Sequence, residues 1–360
     1  MTVHPAFPVD GTPMPADAAA LTVRVVDPLA LSPALASGWD AVAADASEPN
    51  PFVERWCLQS ALHLLDPERQ TRLVLVQSGA DGPVIGVMPL APARHYGRLP
   101  LRHVSGWAHP NHFHGAPLVR AGLESLFWSI LLGWCDAAPW AHTMLHVPRL
   151  TEDGPLHHAL VEVAAARGID AEIVHREERA LLSSDLSPDA YWEAAVRAKK
   201  RKEHRRQANR LAEQGTVAFR RWSAGEEIEP WVDAFLNLEA GGWKGQAGSA
   251  LASHGDTEAW FRAILGGAAD AGRLDMRALD LDGRPLAMLV NFLCPPGAFS
   301  FKTAFDEDYA RFSPGVLLQQ ENLDLLGDDR IAWADSCAAP GHPMIDSVWR
   351  ERRALLWVNV

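Results

Sequence analysis

A strand, a short polar turn and a helix follow one another over residues 299–321, and this order constrains the fold most. Residues 299–305 are mainly apolar and predict a buried strand, and residues 306–309 form a polar turn. Ser313 suits the cap of the following helix, and Pro314 suits its first turn, where a missing N–H costs nothing. The free N–H groups at such a helix start attract anions, and Gly315 would let one approach. The turn therefore predicts a phosphate site at Ser313, Pro314, Gly315 and Val316, although any helix entry can have this form.

Further residues around the turn extend the pattern. They are Lys302-Thr303-Ala304-Phe305-Asp306, then Tyr309, and about twenty residues later Trp333-Ala334-Asp335-Ser336. Together with the turn they resemble the catalytic half of the GNAT-type acyltransferases of the CelD/BcsL and FemABX-like group. The resemblance implies acyl-coenzyme A (acyl-CoA) as the donor substrate, with its pyrophosphate at the turn. The chain departs from the commoner glycine-rich fingerprint of GNAT proteins, because the turn offers only Gly315.

The same resemblance, together with the order of elements, implies the fold class. We expect an α/β protein of two GNAT-like halves, each a mixed twisted sheet flanked by helices. The expected parts are a flexible N-terminal tail (1–20), an N-terminal GNAT-like domain (21–182) and a C-terminal catalytic domain (183–360). At 360 residues and 48% hydrophobic composition the chain can form two cores. The similarity covers residues 185–350 well and residues 50–120 more loosely.

The local patterns agree with alternating strands and helices. Strands are expected at 21–26, 71–77, 84–91, 141–147, 274–281, 285–293, 299–305 and 331–334. Helices are expected at 51–65, 123–136, 229–240 and 256–266 and from Ser313, with hairpin turns at 79–82 and 282–284. No apolar run reaches the length of about 18 residues that spans a bilayer, and the N-terminus does not resemble a signal peptide. The four cysteines are scattered without paired spacing, and we expect reduced thiols in a cytoplasmic protein, with contact at the inner membrane left open.

Positive charge is concentrated in residues 197–210, although the chain carries a net charge of −12. This segment holds eight basic residues and the single acid Glu203, a sum of 8 − 1 = +7, so the remainder carries −12 − 7 = −19. The helix entry at residues 186–191 and the recurring alanines predict that these charges lie on one long helix. Three interpretations stay open: a solvated face, a surface that recruits a phosphorylated donor (through Arg205) or an anionic membrane, and a nucleic-acid site. Nucleic acid is disfavoured, because the protein is acidic overall and no aromatic residue is interleaved among the charges.

A histidine cluster near residue 110 suggests a metal at first sight. Its members are His103, His109, His112 and His114. No cysteine or carboxylate stands nearby to complete a tetrahedral site, so we expect no metal. The resemblance implies instead a loop that lines the substrate cleft, where His109 could contact the acceptor.

Acyl transfer to an amine requires a base, and the chain offers several candidates. We favour His342, oriented by Asp335 or Asp346, because an imidazole titrates near neutral pH. Asp335, Glu239 and His254 are the other candidates. The alternative for His342 is a structural position in a loop that ends the domain.

The developing oxyanion and the acceptor need their own groups. Lys302 could donate to the thioester oxygen, or it could form a salt bridge with Asp306 or Glu321. Trp243, Lys244, Glu239 and Tyr309 are expected to face the acceptor, with a Trp packed under a loop as the alternative. Ser336 and Cys337 could form an acyl-enzyme, but direct attack by the amine is simpler and is what the resemblance implies.

The acceptor amine is the least determined part of the prediction. The 14 tryptophans could line a tunnel for a long acyl chain, as in bacterial GNAT-type ceramide synthases that acylate a sphingoid amine, or they could be ordinary core. The alternatives are acetylation of a sugar amine for polysaccharide synthesis, aminoacyl transfer from transfer RNA, and a GNAT-like binding module without catalysis.

Overall fold

A computed structural model describes residues 2–3, 21–79, 82–137 and 144–360. Residues 1 and 4–20 of the expected tail, and residues 80–81 at the tip of the expected 79–82 turn, lie outside the described residues. The chain forms two compact units: unit 1 contains residues 1–177 and 354–360, and unit 2 contains residues 178–353. The division therefore falls five residues before the expected boundary, and the last seven residues belong to unit 1 rather than to the C-terminal domain.

Unit 1 is built from short strands and four helices among its described residues. In chain order they are β1 (Thr2–Val3), β2 (Leu21–Val26), α1 (Pro33–Ala44), α2 (Arg55–Leu64), β3 (Arg72–Ser78), β4 (Val84–Ala93), β5 (His103–Gly106), β6 (Leu118–Val119), α3 (Glu124–Ala137), β7 (Leu145–Thr151) and α4 (Pro155–Ala166). Strand β8 (Glu172–Leu182) then crosses the division between the units.

Unit 2 follows with a longer helical part and a second sheet. Its elements are α5 (Pro188–Ala195), α6 (Ala198–Ala212), β9 (Val217–Arg221), α7 (Glu229–Gly241), α8 (Trp243–Gln246), α9 (Gly255–Asp270), β10 (Leu274–Leu281), β11 (Arg284–Cys294), β12 (Gly297–Phe305), α10 (Pro314–Glu321), β13 (Trp333–Asp335), α11 (Pro343–Asp346) and β14 (Glu351–Asn359), whose last residues belong to unit 1. Short 3₁₀ helices cover Leu251–Ser253, Glu307–Phe312 and Asn322–Gly327.

The two sheets have the same order of pairings. In unit 1, β2, β3, β4 and β5 form an antiparallel meander, β5 pairs in parallel with β7, and β7 pairs antiparallel with β14. In unit 2, β9, β10, β11 and β12 form the meander, β12 pairs in parallel with β13, and β13 pairs antiparallel with β8. Each parallel pair needs a crossover, which α3 supplies in unit 1 and α10 in unit 2. The repeated order confirms two similar mixed α/β halves.

Large apolar side chains fill the core of each unit. Trp39, Phe127 and Trp128 are fully buried in unit 1, and Trp260, Phe261 and Trp349 are fully buried in unit 2. Burial of such residues contributes about 1.5–3 kcal/mol each, so these clusters hold the helices on the sheets. Among the described residues, no helix combines the length and the apolar character that crossing a bilayer requires.

The basic residues 199–210 lie on one helix, α6, as expected, but this helix is not continuous with the predicted entry at residues 186–191. That entry begins α5, which Ser187 caps; the chain becomes extended at Val196, and α6 begins only at Ala198. The Arg201 guanidinium donates to the carbonyls of Glu193 and Val196 and so satisfies acceptors at the end of α5. This side chain stabilises the break, so one basic residue of the segment has a structural role.

Candidate active site

The site is organised by β12, which loses one of its neighbours halfway along. Within the described residues, β12 pairs with β13 only over residues 297–299, whereas its pairing with β11 continues to Phe305. The β11–β12 register shifts between Ser300 and Lys302, so Phe301 is an extra residue. A bulge of this kind bends its strand. The second half of β12 therefore carries its side chains beside an open strand edge.

Phe301, the extra residue, anchors β12 in the hydrophobic core. Lys302 lies at the edge of this core. The Phe301 ring packs 4.9 Å from that of Phe292 and 6.5 Å from that of Phe261, between ring centroids. Lys302 follows on the same strand and is half-buried. Its alternative interpretation, a salt bridge to Asp306, is wrong, because the Asp306 carboxylate binds Arg284.

Lys302 lies in an unusual electrostatic environment. Burial and, to a smaller extent, the positive charge of Lys244 lower the pKa of its ammonium group to about 8, although Glu239 and Cys337 oppose the shift. Removing an ammonium group from water disfavours its charged form. Lys302 is therefore a cation that can lose its proton slightly above neutral pH.

Glu239 and Lys244 form a fixed pair next to Lys302. Glu239 is buried in the last turn of α7, and Lys244 Nζ lies 2.8 Å from its Oε1. The other oxygen, Oε2, accepts a hydrogen bond of 2.8 Å from the backbone N–H of Leu251. The structure thus brings together three of the predicted residues, Glu239, Lys244 and Lys302. Both Glu239 oxygens have partners, so this carboxylate holds the loop and its lysine.

Trp243 is not packed under a loop. Its side chain is 59% exposed, and its backbone N–H donates to Glu307 Oε1 at 2.7 Å. Glu307 follows β12, so this bond links the start of α8 to the turn beyond the open strand edge. Sequence reasoning missed Glu307, although the acidic run at 306–308 contained it.

Asp335 has a different role from the one expected. It is fully buried; Arg179 Nε lies 2.6 Å from its Oδ1 and Arg353 Nη1 lies 3.1 Å from its Oδ2. Oδ1 also accepts the backbone N–H of Cys337 at 2.9 Å. Burial by itself raises the pKa of Asp335, but the two guanidinium groups overcome this effect and lower it. A carboxylate held in this way is neither a base nor a partner for His342.

His342 is exposed and precedes α11. Both oxygens of Asp335 are engaged by arginines, so the orientation of His342 by Asp335 is wrong. Asp346 lies on α11, with its Oδ1 3.5 Å from Arg352 Nη2. The orientation of His342 by Asp346, and its role as a base, stay predictions. Cys337 is buried with a φ of 52°, and burial raises the pKa of its thiol well above the usual range, which disfavours an acyl-enzyme.

The start of α10 is less open to an anion than its sequence indicates. Ser313 is left-handed, with a φ of 53°, and its hydroxyl makes no capping bond, contrary to expectation. Its carbonyl accepts from the N–H groups of Val316 and Leu317, and Pro314 has no N–H. A Cβ on Gly315 would lie 2.8 Å from Met344 Sδ, so the missing side chain makes room for packing and not for a ligand. The Ser313 cap and the space at Gly315 therefore no longer support the predicted phosphate site at Ser313, Pro314, Gly315 and Val316.

The remaining predicted residues of unit 2 flank this turn. Tyr309 packs 6.1 Å from the Phe312 ring and belongs to an apolar cluster with Ala208 of α6. Helix α6 also contacts the same segment through Gln207, whose Nε2 donates to the Arg311 carbonyl at 3.2 Å. Arg205 is exposed on α6. The basic helix is thus fixed to the segment between β12 and α10.

The tryptophans of unit 2 are mostly core residues. Trp192, Trp231, Trp260 and Trp349 are buried, and Trp333 stacks on the Arg353 guanidinium at 4.4 Å. The burial of these residues agrees with the interpretation of the tryptophans as ordinary core, and Trp243, which is 59% exposed, is the exception.

The histidine cluster belongs to unit 1, where His109 packs against neighbouring aromatic rings. The His109 ring lies 5.4 Å from Trp107 and 5.7 Å from His112, and His109 is buried. Burial and, to a smaller extent, the Arg149 charge lower the pKa of His112 to about 3. Within the described part of the chain, the group with ligand atoms close enough for a metal is Asp153, His157 and His158, within 4.8 Å of one another. The contact of His109 with an acceptor stays a prediction.

A model of the acetyltransferase (GNAT) domain family matches residues 198–340. Most of unit 2 therefore matches the GNAT acetyltransferase domain family, as the resemblance implied. The match includes Glu239, Lys244 and Lys302 and ends two residues before His342.

Solved structures extend the GNAT fold assignment to both units. FemX matches with a TM-score of 0.59 and 11% identity, over 90% of this chain and 95% of FemX. A conserved protein of unknown function from Bacteroides thetaiotaomicron has a TM-score of 0.53 and 10% identity, over 93% and 99%. The C-terminal domain of a protein assigned as a lysylphosphatidylglycerol synthetase from Agrobacterium fabrum matches with a TM-score of 0.52 and 13% identity, over 90% of this chain and 91% of that domain. A sequence search of curated proteins finds no match.

Proposed function

We propose that unit 2 transfers an acyl group from a CoA thioester to an amine by direct attack. The observation that carries this proposal is Lys302, a half-buried ammonium with a lowered pKa, on the free part of β12 within the GNAT domain. Acyl transfer needs a hydrogen-bond donor at the oxygen where negative charge develops, in a site partly shielded from water. Lys302 has both properties.

The bond changes follow from this position. The amine nitrogen attacks the thioester carbonyl carbon, and the carbonyl oxygen becomes an oxyanion that accepts a hydrogen bond from the Lys302 ammonium. The intermediate collapses to an amide and releases the CoA thiolate, which takes up a proton, while the former amine loses one. Glu239 and Lys244 fix the neighbouring wall and set the charge that Lys302 experiences.

The acceptor is proposed to approach beside Trp243. An exposed indole directly before Lys244 in the chain offers apolar contact area to an incoming chain or ring. We favour a long-chain acyl group and a lipid amine of the sphingoid type over a sugar amine. One structural neighbour is named for the synthesis of an aminoacylated lipid, although the likeness itself shows only the fold.

Thermal shift tests the donor first. Purified protein is heated with free CoA and with acetyl-, octanoyl- and palmitoyl-CoA. A ligand of the folded state stabilises it by about 2.7 kcal/mol at a hundred times its dissociation constant. We expect stabilisation that grows with acyl length. A preference for acetyl-CoA would move the proposal to a sugar or small amine, and the absence of any shift would refute the CoA donor.

A further inference from the structure

Helix α6 carries an exposed row of cations that the proposed chemistry does not use. Its members are Lys199, Lys202, Arg206 and Arg210, here named the α6 stripe, and all four are exposed. Their spacing of three, four and four residues puts them on one helix face. The opposite face is formed by His204 and Leu211, which are buried. The stripe extends over eleven residue steps, or roughly 17 Å at 1.5 Å per residue.

The stripe differs from several arginines of unit 2 that have acidic partners. Arg262 lies within ion-pair distance of three carboxylates, Arg284 binds Asp306, and Arg330 binds Asp328. Among the described residues, no salt bridge or side-chain hydrogen bond joins any of the four stripe residues to a carboxylate, although the chain has 45 acidic residues. The four charges thus lack the direct ion pairs that Arg262, Arg284 and Arg330 form.

The stripe is also held in place. The His204 ring packs 5.9 Å from Trp192 of α5, and Gln207 donates to the Arg311 carbonyl. Arg201 caps α5 and fixes the break that precedes α6. A fixed row of cations loses less conformational entropy on binding than cations on a mobile segment.

We propose that the α6 stripe docks unit 2 onto an anionic lipid surface. Negative headgroups attract basic residues that lie close to the membrane, and a straight row of cations can meet several headgroups at once. Nucleic acid fits less well: no aromatic side chain interrupts the stripe for base stacking, and the chain outside residues 197–210 carries −19. The inference does not rest on the proposed function, because docking requires no acyl donor.

Vesicle cosedimentation tests the stripe directly. The full chain is mixed with phosphatidylcholine vesicles containing phosphatidylglycerol and with vesicles of phosphatidylcholine alone. We expect binding to the anionic vesicles only, and loss of binding as salt screens the charges. Lys202→Gln with Arg206→Gln should weaken it about 30-fold, which corresponds to about 1 kcal/mol per cation.

A matched variant and a catalytic variant make the outcome specific. Arg94→Gln with Arg98→Gln removes two exposed positive charges from unit 1 and should leave vesicle binding within about twofold of wild type. Lys302→Met should bind vesicles normally, so failure of acyl transfer and failure of docking are separable. Circular dichroism and melting temperature confirm that each variant is folded.

Two results would overturn the proposal. One is vesicle binding that the α6 variant leaves unchanged. The other is absence of vesicle binding at low salt, together with binding of mixed-sequence RNA that the same variant abolishes, which would assign the stripe to nucleic acid.

Discussion

Lys302 has neighbours of both charges, and the balance of their effects helps to set the pKa of its ammonium group. Burial and Lys244 favour the neutral amine, whereas Glu239 favours the ammonium. With a pKa of about 8 the ammonium predominates at neutral pH, yet its proton is held less tightly than that of an exposed lysine. Such a group is a strong hydrogen-bond donor to a developing oxyanion.

Replacing Lys302 by Met should lower kcat by about 10²–10³, because one oxyanion donor is lost. The KM for the acyl-CoA substrate should change little. In the wild type, kcat should fall as pH rises through about 8, since deprotonation removes the donor. Lys302→Arg should move this fall to higher pH, because a guanidinium keeps its charge.

The pH–rate profile of each variant gives the measurement. Lys200→Met is the matched control, because Lys200 is exposed and pairs with Glu203 on α6. A wild-type kcat that rises through pH 8 and a Lys302→Met variant of unchanged kcat would both contradict the assigned role.

Asp335 should contribute to stability, not to catalysis. Asp335→Asn leaves two arginines without their buried counter-charge and should cost about 3–5 kcal/mol in urea unfolding at neutral pH. Because the folded pKa of Asp335 is lowered, its contribution is present above the unfolded value of about 3.9 and is lost as pH falls through the folded value. The difference between wild type and variant should therefore shrink in acid.

Asp346→Asn is the control for this prediction. Asp346 pairs with the exposed Arg352 at 3.5 Å. Its replacement by Asn should therefore lower the free energy of unfolding by less than about 1 kcal/mol. An Asp335→Asn variant as stable as Asp346→Asn would show that the buried pair contributes nothing.

Sequence reasoning selected some residues that lie near one another in the structure, and it gave others a role that their contacts contradict. Lys302, Lys244 and Glu239 were recognisable from local motifs, and the structure brings them together. The partners of Asp335 were not recognisable from the sequence, because Arg179 lies 156 residues away in the chain. Asp335 also looked available to His342 only because nothing local showed that its oxygens were occupied.

At the scale of elements, strong turn signals gave accurate boundaries. The predicted strand 274–281 agrees with β10 residue for residue, because Asp282 and Gly283 form the hairpin turn with φ values of 50° and 79°. Strand β8 was missed, since residues 172–176 are exposed and show no apolar alternation. The break before α6 was missed because an arginine side chain stabilises it, which helix propensity does not record.

The contact between β12 and β13 should be sensitive to one methyl group. A Cβ on Gly297 would lie 2.4 Å from the Trp333 ring, which cannot bend away as a flexible chain can. Gly297→Ala should therefore destabilise unit 2 by about 1–3 kcal/mol in urea unfolding. Gly266→Ala in α9 meets open space and should stabilise by up to about 1 kcal/mol. Equal stability of the two variants would exclude the steric effect.

At the scale of the whole molecule, the chain returns to unit 1 at its C-terminus. Leu355–Asn359 pairs with β7, and Leu356 and Val358 are buried in the unit 1 core. The sequence did not predict this return, because an apolar strand at the end of a chain carries no signal of its partner. It explains why the expected boundary at 182/183 could not separate the two units.

Leu356→Ala should weaken unit 1 alone, by about 2–5 kcal/mol. Hydrogen exchange followed by mass spectrometry should show lost protection in β7 and unchanged protection in β10 and β11. Leu318→Ala, at an equally buried position in α10, should give the opposite distribution. Loss of protection in both units from Leu356→Ala would mean that the two halves unfold as one.

The C-terminal return also sets the order in which a ribosome can complete the two halves. After Glu177 emerges, the remaining 360 − 177 = 183 residues must be made before unit 1 receives its last strand. At about 5–20 residues per second, unit 1 waits for roughly 10–40 seconds with the edge of β7 unpaired. Unit 2 is encoded later but contains all its own strands by residue 353. The first half to be synthesised is therefore the last to be finished, and chains stalled before residue 354 should show protease-sensitive β7 beside a protected unit 2.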